Sequence, residues 1–274
     1  MDNFGLDKLT LGKAVGYADK YDPSLLQAVE RRLSREQINL PKELPFSGVD
    51  IWNGYEVSWL NKKGKPLIGI LRCHVPVTSP NLIESKSFKL YLNSFNQTSF
   101  DSLSSVKAAM QEDLSRCAGE QVALELFDFA SFKSLKISTL EGDLLDDLDV
   151  TISNYDIRPE SLTTSNEMVE ETLVSHLLKS NCLITHQPDW GSILIKYKGH
   201  KLDHEALLKY LISFRQHNEF HEQCVERIFY DILTHCKPEK LTVYARYTRR
   251  GGLDINPFRS NFEAPYGDKR LARQ

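Results

Sequence analysis

Phe88-Lys89-Leu90-Tyr91-Leu92-Asn93-Ser94-Phe95 sets Phe88, Tyr91, Leu92 and Phe95 at i, i+3, i+4 and i+7, the spacing that lines one face of a helix. Leu207-Leu208-Lys209-Tyr210-Leu211-Ile212-Ser213-Phe214 does the same with Leu207, Tyr210, Leu211 and Phe214. A further helical stripe follows each octet. After the first come Leu103, Val106, Met110 and Leu114; after the second come Phe220, Cys224, Val225, Ile228, Phe229, Ile232 and Leu233. The chain thus carries two helix pairs, and what flanks them decides the fold.

Strand-like runs flank both pairs. In the first half, residues 55–60 and 66–77 are separated by the hairpin loop Asn61-Lys62-Lys63-Gly64-Lys65, and residues 121–129 and 149–155 follow the helices. The acidic stretch 141–149 reads as a solvated loop, 158–166 as a linker, and 168–179 as a helix crossing to the second half. There, residues 182–187 and 192–199 read as strands around the turn Pro188-Asp189-Trp190-Gly191. Residues 241–250 and 253–258 read as strands joined at Gly251-Gly252. Both halves therefore read ββ-αα-ββ. The expected fold class is α+β, with two tandem modules over residues 1–160 and 161–274. Each is expected to be an antiparallel sheet with a helix pair on one face. The first fifty residues, which include Pro41 and Pro45, show no clear periodicity.

Composition narrows the class. The 274 residues are 41% hydrophobic and 26% charged, an ordinary globular balance that argues against disorder and coiled coil. No stretch approaches the roughly 18 apolar residues of a membrane helix. The opening Met1-Asp2-Asn3-Phe4 has neither a basic nor an apolar signal region, so a cytoplasmic protein without membrane attachment is expected. With 34 Lys+Arg against 37 Asp+Glu, the net charge of −3 and the lack of a basic stripe speak against direct nucleic-acid binding. The five cysteines are odd in number and include no Cys-x-x-Cys, so reduced thiols are expected, and one of them could be a nucleophile.

Several residues could carry chemistry. Glu84 stands four and seven residues before Phe88 and Tyr91, and His221 stands four and seven before Val225 and Ile228. Both point inward at helix N-termini, where free N–H groups and the positive dipole end lie; a capping Glu and a satisfied core His are the plain alternatives. Cys182 and Asp189 flank one strand–turn and could act on one bound atom, or be a small buried hydrophobe and a turn-former. Cys182, His186, His217, His221 and Cys224 could be assembled into a zinc site, although no His-Glu-x-x-His is present. No Gly-x-Gly-x-x-Gly or Walker loop occurs, which argues against a Rossmann-type nicotinamide site. Two basic clusters, Glu84-Ser85-Lys86-Ser87-Phe88-Lys89 and Arg249-Arg250-Gly251-Gly252, could hold phosphate or be solvated surface.

Four segments together resemble one family. Glu84-Ser85-Lys86-Ser87-Phe88-Lys89-Leu90-Tyr91 is similar to the signature of the NADPH-dependent nitrile reductases of queuosine biosynthesis, the QueF (7-cyano-7-deazaguanine reductase) family. Ser180-Asn181-Cys182-Leu183-Ile184-Thr185-His186-Gln187-Pro188-Asp189-Trp190-Gly191 resembles its catalytic segment. Phe220-His221-Glu222-Gln223-Cys224 and Arg249-Arg250-Gly251-Gly252-Leu253-Asp254-Ile255-Asn256-Pro257 resemble its remaining blocks, and Leu9-Thr10-Leu11-Gly12-Lys13 extends the likeness towards the start. Length and module order resemble the long, bimodular subfamily.

The resemblance implies tunnelling-fold modules, the first carrying the Glu-Ser-Lys motif and the second the catalytic Cys and Asp. It implies reduction of the nitrile of 7-cyano-7-deazaguanine to the aminomethyl group with two NADPH and no metal, by a homodimer. It assigns Cys182 as the nucleophile that forms a thioimide, Asp189 as proton donor, and His221 as pocket wall and helper in proton transfer. Ile83, Glu84, Ser85, His221 and Glu222 are implied to bind the substrate, and Ser85, Lys86, Arg250 and Gly251 to bind NADPH. Covalent addition suits a nitrile, whose carbon accepts hydride poorly until something adds to it. An ordinary carboxyl near pKa 3.9 is about three units too acidic to stay protonated at neutral pH, a deficit of roughly 4 kcal/mol. A relay in which Asp189 first takes the thiol proton avoids that cost. Two readings from other classes stay open at this point: a zinc-dependent purine or pterin cyclohydrolase, and a non-catalytic base-binding module.

Overall fold

A computed structural model describes residues 16–267 and 269–274; the Met1–Phe4 and Leu9–Lys13 segments lie outside the described residues. In chain order come β1 (Ala28–Glu30), α1 (Arg31–Gln37), β2 (Ser47–Leu60), β3 (Pro66–Pro76), β4 (Asn81–Ile83), α2 (Ser85–Asn93), α3 (Leu103–Ala118) and β5 (Ala123–Asp128). Then follow β6 (Ile137–Ser138), β7 (Asp143–Leu144), β8 (Thr164–Ser175), β9 (Lys179–Asn181), β10 (Pro188–Leu202), α4 (His204–Ser213), α5 (His221–Cys236), β11 (Lys240–Tyr247), β12 (Leu253–Ser260) and β13 (Arg270–Leu271). Contacts divide the chain into two units. The first takes residues up to Asn39, Asp50–Lys136 and Arg249–Asp254; the second takes Leu40–Val49, Ile137–Thr248 and Ile255–Gln274.

In the first unit β3 lies between β2 and β5, pairing antiparallel with β5 from Gly69↔Asp128 to His74↔Ala123. The Asn61 side chain closes the β2–β3 hairpin by accepting from the Lys63 and Lys65 amides at 2.9 and 3.0 Å. Helix α3 starts on a reciprocal Ser102/Ser105 capping box and stops at Gly119, whose φ of 77° a side chain would oppose. The distant segment Arg249–Asp254 runs along β2. Tyr55 N–H donates to the Gly252 carbonyl at 2.9 Å, and the buried Asp254 carboxylate accepts from Asn53 Nδ2 at 2.9 Å and Tyr55 OH at 2.6 Å.

In the second unit the strand order is β12-β11-β10-β8-β7. Strand β10 organises it, pairing antiparallel with β11 from Gly191↔Tyr247 to Lys198↔Lys240, with β8, and at its start with β9. Only β7 runs parallel to its neighbour β8 among the described strands of this sheet portion. Helix α5 packs on β10 and β11 with Val225, Ile228, Phe229 and Ile232 fully buried.

The helix pairs are built alike. Tyr91 OH donates to Asp113 Oδ2 at 2.7 Å between α2 and α3, and Tyr210 OH donates to Asp231 Oδ2 at 2.6 Å between α4 and α5. Ser94 Oγ and Ser213 Oγ each bend back and donate to that tyrosine's carbonyl at 2.6 Å. The sequence echo is Tyr-Leu-x-Ser-Phe at Tyr91–Phe95 and Tyr210–Phe214. An α+β chain of two modules with antiparallel sheets and helix pairs is thus observed.

Several expected elements differ. Residues 168–179 are not a helix: β8 runs through most of them, because β10 offers a ladder from Ile193↔Ser175 to His200↔Met168, and pairing overrides local propensity. Residues 182–187 form a turn and Pro188–Gly191 belong to β10, the reverse of the expected strand and turn. The Cys182 amide donates to the Gln187 carbonyl at 2.9 Å and its carbonyl accepts from His186 N–H at 3.0 Å, which closes the chain on itself at that point. Residues 149–155 are not a strand, since no strand among the described residues pairs with them, so around its helix pair the first unit has ββ-αα-β and then the inserted Arg249–Asp254 segment. The acidic 141–149 stretch contains the short strand β7, and the 158–166 linker gives way to β8 at Thr164. The expected strand at 241–250 ends earlier, at Tyr247, and α1 forms where no periodicity was evident.

The clasps make unequal demands. Asp113 also accepts from Tyr21 OH at 2.6 Å and from Arg116 at 3.4 Å, whereas Asp231 accepts from the Tyr210 hydroxyl. Burial raises the Asp231 carboxyl above the usual range, and the Tyr210 bond opposes that. Tyr210→Phe should therefore lower stability by about 1.5–3 kcal/mol, and Tyr91→Phe by less. Urea unfolding of the two variants checks the order; an equal or reversed loss would show that the donor count at the aspartate does not matter.

Candidate active site

The second unit brings polar residues together around the start of β10. Asn181↔Pro188 and Ser180↔Asp189 pair in register, so Ser180 and Asp189 project from one face of the β9–β10 hairpin. Cys182 follows directly, as the first residue of the turn between β9 and β10. The other side of β9 is held by the segment leading into α5: Asn181 N–H donates to the His217 carbonyl at 2.8 Å, and Glu219 N–H donates to the Asn181 carbonyl at 3.1 Å. Two residues later α5 begins with His221 and Glu222. Hydrogen bonding to β9 on both edges thus ties the segment leading into α5 to the hairpin that carries Asp189, and Cys182 follows β9 in sequence.

Cys182 and Asp189 are both buried, 6% and 5% exposed. His221 Nε2 stands 3.8 Å from Asp189 Oδ1, and the His221 ring meets the Tyr247 ring edge-on with centroids 4.2 Å apart. Glu222 is buried in the first turn of α5, close to where backbone N–H groups lack helical acceptors. Glu219 is buried and paired with the Arg227 guanidinium. Among the described residues, Ser180 Oγ and Glu219 Oε2 are buried without hydrogen-bond partners. Unpaired buried polar atoms cost about 1–3 kcal/mol each, and a polar ligand would satisfy them. His186, at the loop tip, adopts a left-handed φ of 56° and its Nδ1 lies 2.9 Å from Asn218 Nδ2.

The other cysteines are poor nucleophile candidates. Burial alone pushes the Cys73 thiol far up, and burial with the Glu219 charge does the same at Cys224. Burial lifts Cys117, aided by Glu84, and Cys236 to about 11. All four are therefore held as thiols at neutral pH.

In the first unit Ile83 ends β4 and is buried, and Glu84 is the N-cap of α2. Its carboxylate accepts from the Lys86 amide at 2.8 Å and the Ser87 amide at 2.7 Å, so the capping role is real and uses both oxygens. Ser85 and Lys86 form the first turn. Arg250 and Gly251 belong to a two-residue hairpin in which Gly251 and Gly252 have φ of 64° and 80° and Arg250 N–H donates to the Leu253 carbonyl at 2.9 Å. A Cβ at position 251 would come within 2.9 Å of Lys89 Cδ and Nζ, so a lysine of α2 rests on this hairpin. Arg249 stacks over the Tyr55 ring at 4.8 Å. This is a cradle of cations and close backbone, a donor set that fits the phosphates of NADPH.

The Cys and His residues that could form a zinc set have other company. His186 meets Asn218, His217 lies 2.7 Å from Glu219, and His221 faces Asp189 and Tyr247. Among the described residues no group of three or more His, Cys, Asp or Glu stands close enough to hold a metal. Nor does any described helix have the length and apolarity to cross a membrane. Sequence reasoning missed Tyr247, Glu219 and Arg227; nothing in their spacing marks them.

Two family models match the chain. One, described as "Nitrile reductase, 7-cyano-7-deazaguanine-reductase N-term", matches residues 17–126, and one described as "QueF-like protein" matches residues 188–266. Together they cover more than half of the chain. They take in Glu84, Ser85 and Lys86 on one side and Asp189, His221, Glu222, Arg250 and Gly251 on the other; Cys182 falls between them. A solved structure titled "Crystal structure of the archaeosine synthase QueF-Like in the apo form" is similar to 37% of this chain and 99% of its own, at 17% identity and a TM-score of 0.31, too slight a likeness to argue from.

Glu84 generates a test of its electrostatics. Burial raises its carboxyl above the ordinary value, against the opposing pull of the Lys86 and Ser87 amides, the Ser85 hydroxyl and the Lys86 charge. The folded protein then holds this proton more tightly than the unfolded chain, so the residue's contribution to stability falls as pH rises from about 4.3 through the raised value. Glu84→Gln cannot titrate. Its stability relative to the unsubstituted protein should improve across that rise, measured by urea unfolding at a series of pH values. A difference that stays flat with pH would refute the buried, raised carboxyl.

Proposed function

This chain belongs to the QueF nitrile reductase family, and we propose that it reduces 7-cyano-7-deazaguanine to 7-aminomethyl-7-deazaguanine in queuosine biosynthesis, using two NADPH. The observation that supports this most is the approach of the His221 imidazole to within 3.8 Å of the Asp189 carboxyl, at the hairpin whose strand β9 leads directly into the buried Cys182.

In this reading Cys182 Sγ adds to the nitrile carbon, forming a C–S bond. Asp189 takes the thiol proton and delivers it to the nitrile nitrogen, which gives a thioimide. NADPH, when bound, supplies a hydride to each of the two reductions. His221, in contact with Asp189, passes protons to the nitrogen as it becomes an amine, and the Cys182 C–S bond breaks between the two reductions. The imine left at that stage would hydrolyse in water, and the burial of Cys182 and Asp189 suits its protection. Glu222 in the second unit is a carboxylate assigned to the base's N–H groups; in the first unit Glu84, with Ile83 and Ser85 beside it in sequence, is assigned to substrate binding. Ionised acceptors there favour a guanine-like edge over an adenine-like one. Ser85, Lys86, Arg250 and Gly251 are assigned to NADPH, whose 2′-phosphate suits a cationic site. The active species is proposed to be a cytoplasmic homodimer.

Mixing the protein with the nitrile in the absence of NADPH should build an adduct on Cys182, seen by intact-mass spectrometry. Cys182→Ala should give no adduct and no turnover while still binding the base, and Asp189→Ala should form adduct about 10²–10⁴-fold more slowly. An adduct mapped to Cys224 or Cys236, or turnover by Cys182→Ala, would end the covalent reading.

The cofactor assignment is checked separately. Arg250→Ala should weaken NADPH binding while capture of the nitrile by Cys182 survives. An unchanged NADPH dissociation constant would remove Arg250 from the cofactor site. Glu222→Gln should weaken base binding by about 1.5–3 kcal/mol, read by calorimetry.

A further inference from the structure

Tyr247 has no part in the reaction so far, yet it touches the reacting group's neighbour. It closes β11 and is fully buried. It stands directly across from Gly191 in the β10–β11 ladder. Gly191 and Asp189 are two residues apart on β10 and so share a face. A Cβ at position 191 would come within 3.2 Å of Tyr247 Cε1 and 3.3 Å of Cδ1, tighter than ordinary contact. Glycine therefore leaves the space that the phenol ring fills beside Asp189. From that seat the ring meets the His221 imidazole edge-on, with centroids 4.2 Å apart and planes at 81°. This contact limits the directions in which Nε2 can face Asp189 Oδ1, 3.8 Å away.

We propose that Tyr247 is a positioning residue: its ring, admitted by Gly191, holds the His221 imidazole against Asp189. The proposal rests on the reading above in which His221 and Asp189 move protons. The ring does this work and the hydroxyl does not. Among the described residues no oxygen or nitrogen pairs with that hydroxyl, and the Cys224 thiol is the group beside it. A buried hydroxyl lacking a strong partner adds nothing to the fold, so its removal is tolerated and the ring's role can be isolated.

The variants are Tyr247→Phe, Tyr247→Leu and Gly191→Ala, each compared for three quantities. These are the rate of adduct formation on Cys182 from the nitrile alone, the dissociation constant of the base in a Cys182→Ala background, and the melting temperature. Tyr247→Phe should keep the adduct rate within about twofold and melt no lower than the parent. Tyr247→Leu should lose tenfold or more in rate with base affinity unchanged, and Gly191→Ala should move the same way by crowding the ring. Rescue by Phe separates positioning from bulk stability, because a merely structural aromatic would shift melting and affinity together. An unimpaired Leu variant overturns the proposal, as does a Phe variant as slow as Leu, which would transfer the role to the hydroxyl. Should Leu fail to fold, the Phe and Gly191→Ala results still decide. If the parent itself forms no adduct, the covalent reading fails and not this one, and the His221 ring resonances by NMR then report the positioning directly: retained in Phe, displaced in Leu if the proposal holds.

Discussion

The antiparallel register of β10 is the constraint on which the second unit's chemistry depends. Its first residues pair with β9 and set Asp189 opposite Ser180; a few residues on, Gly191 faces Tyr247. A strand has a period of two, so a slip by one residue would turn Asp189 away and bring the Trp190 side chain to the face that Gly191 now leaves open. The long ladders to β8 and β11 make such a slip expensive, because the apolar residues Ile193, Ile195 and Tyr197 would leave the core with it. The rigidity of the sheet is what places the functional groups.

The repeated helix pair shows how the same scaffold was put to different uses. Tyrosine, aspartate and serine recur at matching places in both pairs, as do their hydrogen bonds. The helix starts differ. Helix α2 begins on a glutamate that caps it with two amide bonds, while α4 begins on Asp203, which accepts from the Ala206 amide at 3.1 Å. Helix α3 opens with Leu103 after a serine cap, whereas α5 opens with His221 after Phe220, which supplies no side-chain cap. At that second start stand His221 and Glu222.

The four long helices were legible because their apolar stripes answer to contacts along one face, a local property. Strand β8 was not, since Met168-Val169-Glu170-Glu171-Thr172-Leu173-Val174 has no face of its own until β10 pairs with it. The Cys182–Gln187 turn was missed for a related reason: a chain that folds back onto its own carbonyls needs no glycine or proline when His186 accepts a left-handed φ. Candidate site residues were picked out by type and motif, and the structure sets His221 Nε2 3.8 Å from Asp189 Oδ1, a pairing that the stretch of sequence between them does not reveal. Tyr247 was invisible, being one aromatic among many in a strand, and only its partner across the ladder gives it meaning.

The insertion of Arg249–Asp254 into the first unit has a consequence for how the protein is made. Asn53 and Tyr55 emerge from the ribosome early, but the carboxylate that accepts from both side chains comes 201 and 199 residues later. At about 5–20 residues per second, those donors and the Tyr55 amide wait ten seconds or more before Asp254 and Gly252 arrive. During that interval β2 presents an open edge to every other nascent chain nearby. The first unit, begun first, is therefore completed only near the end of synthesis, and a nascent chain stalled before residue 249 would expose that edge for as long as the stall endures.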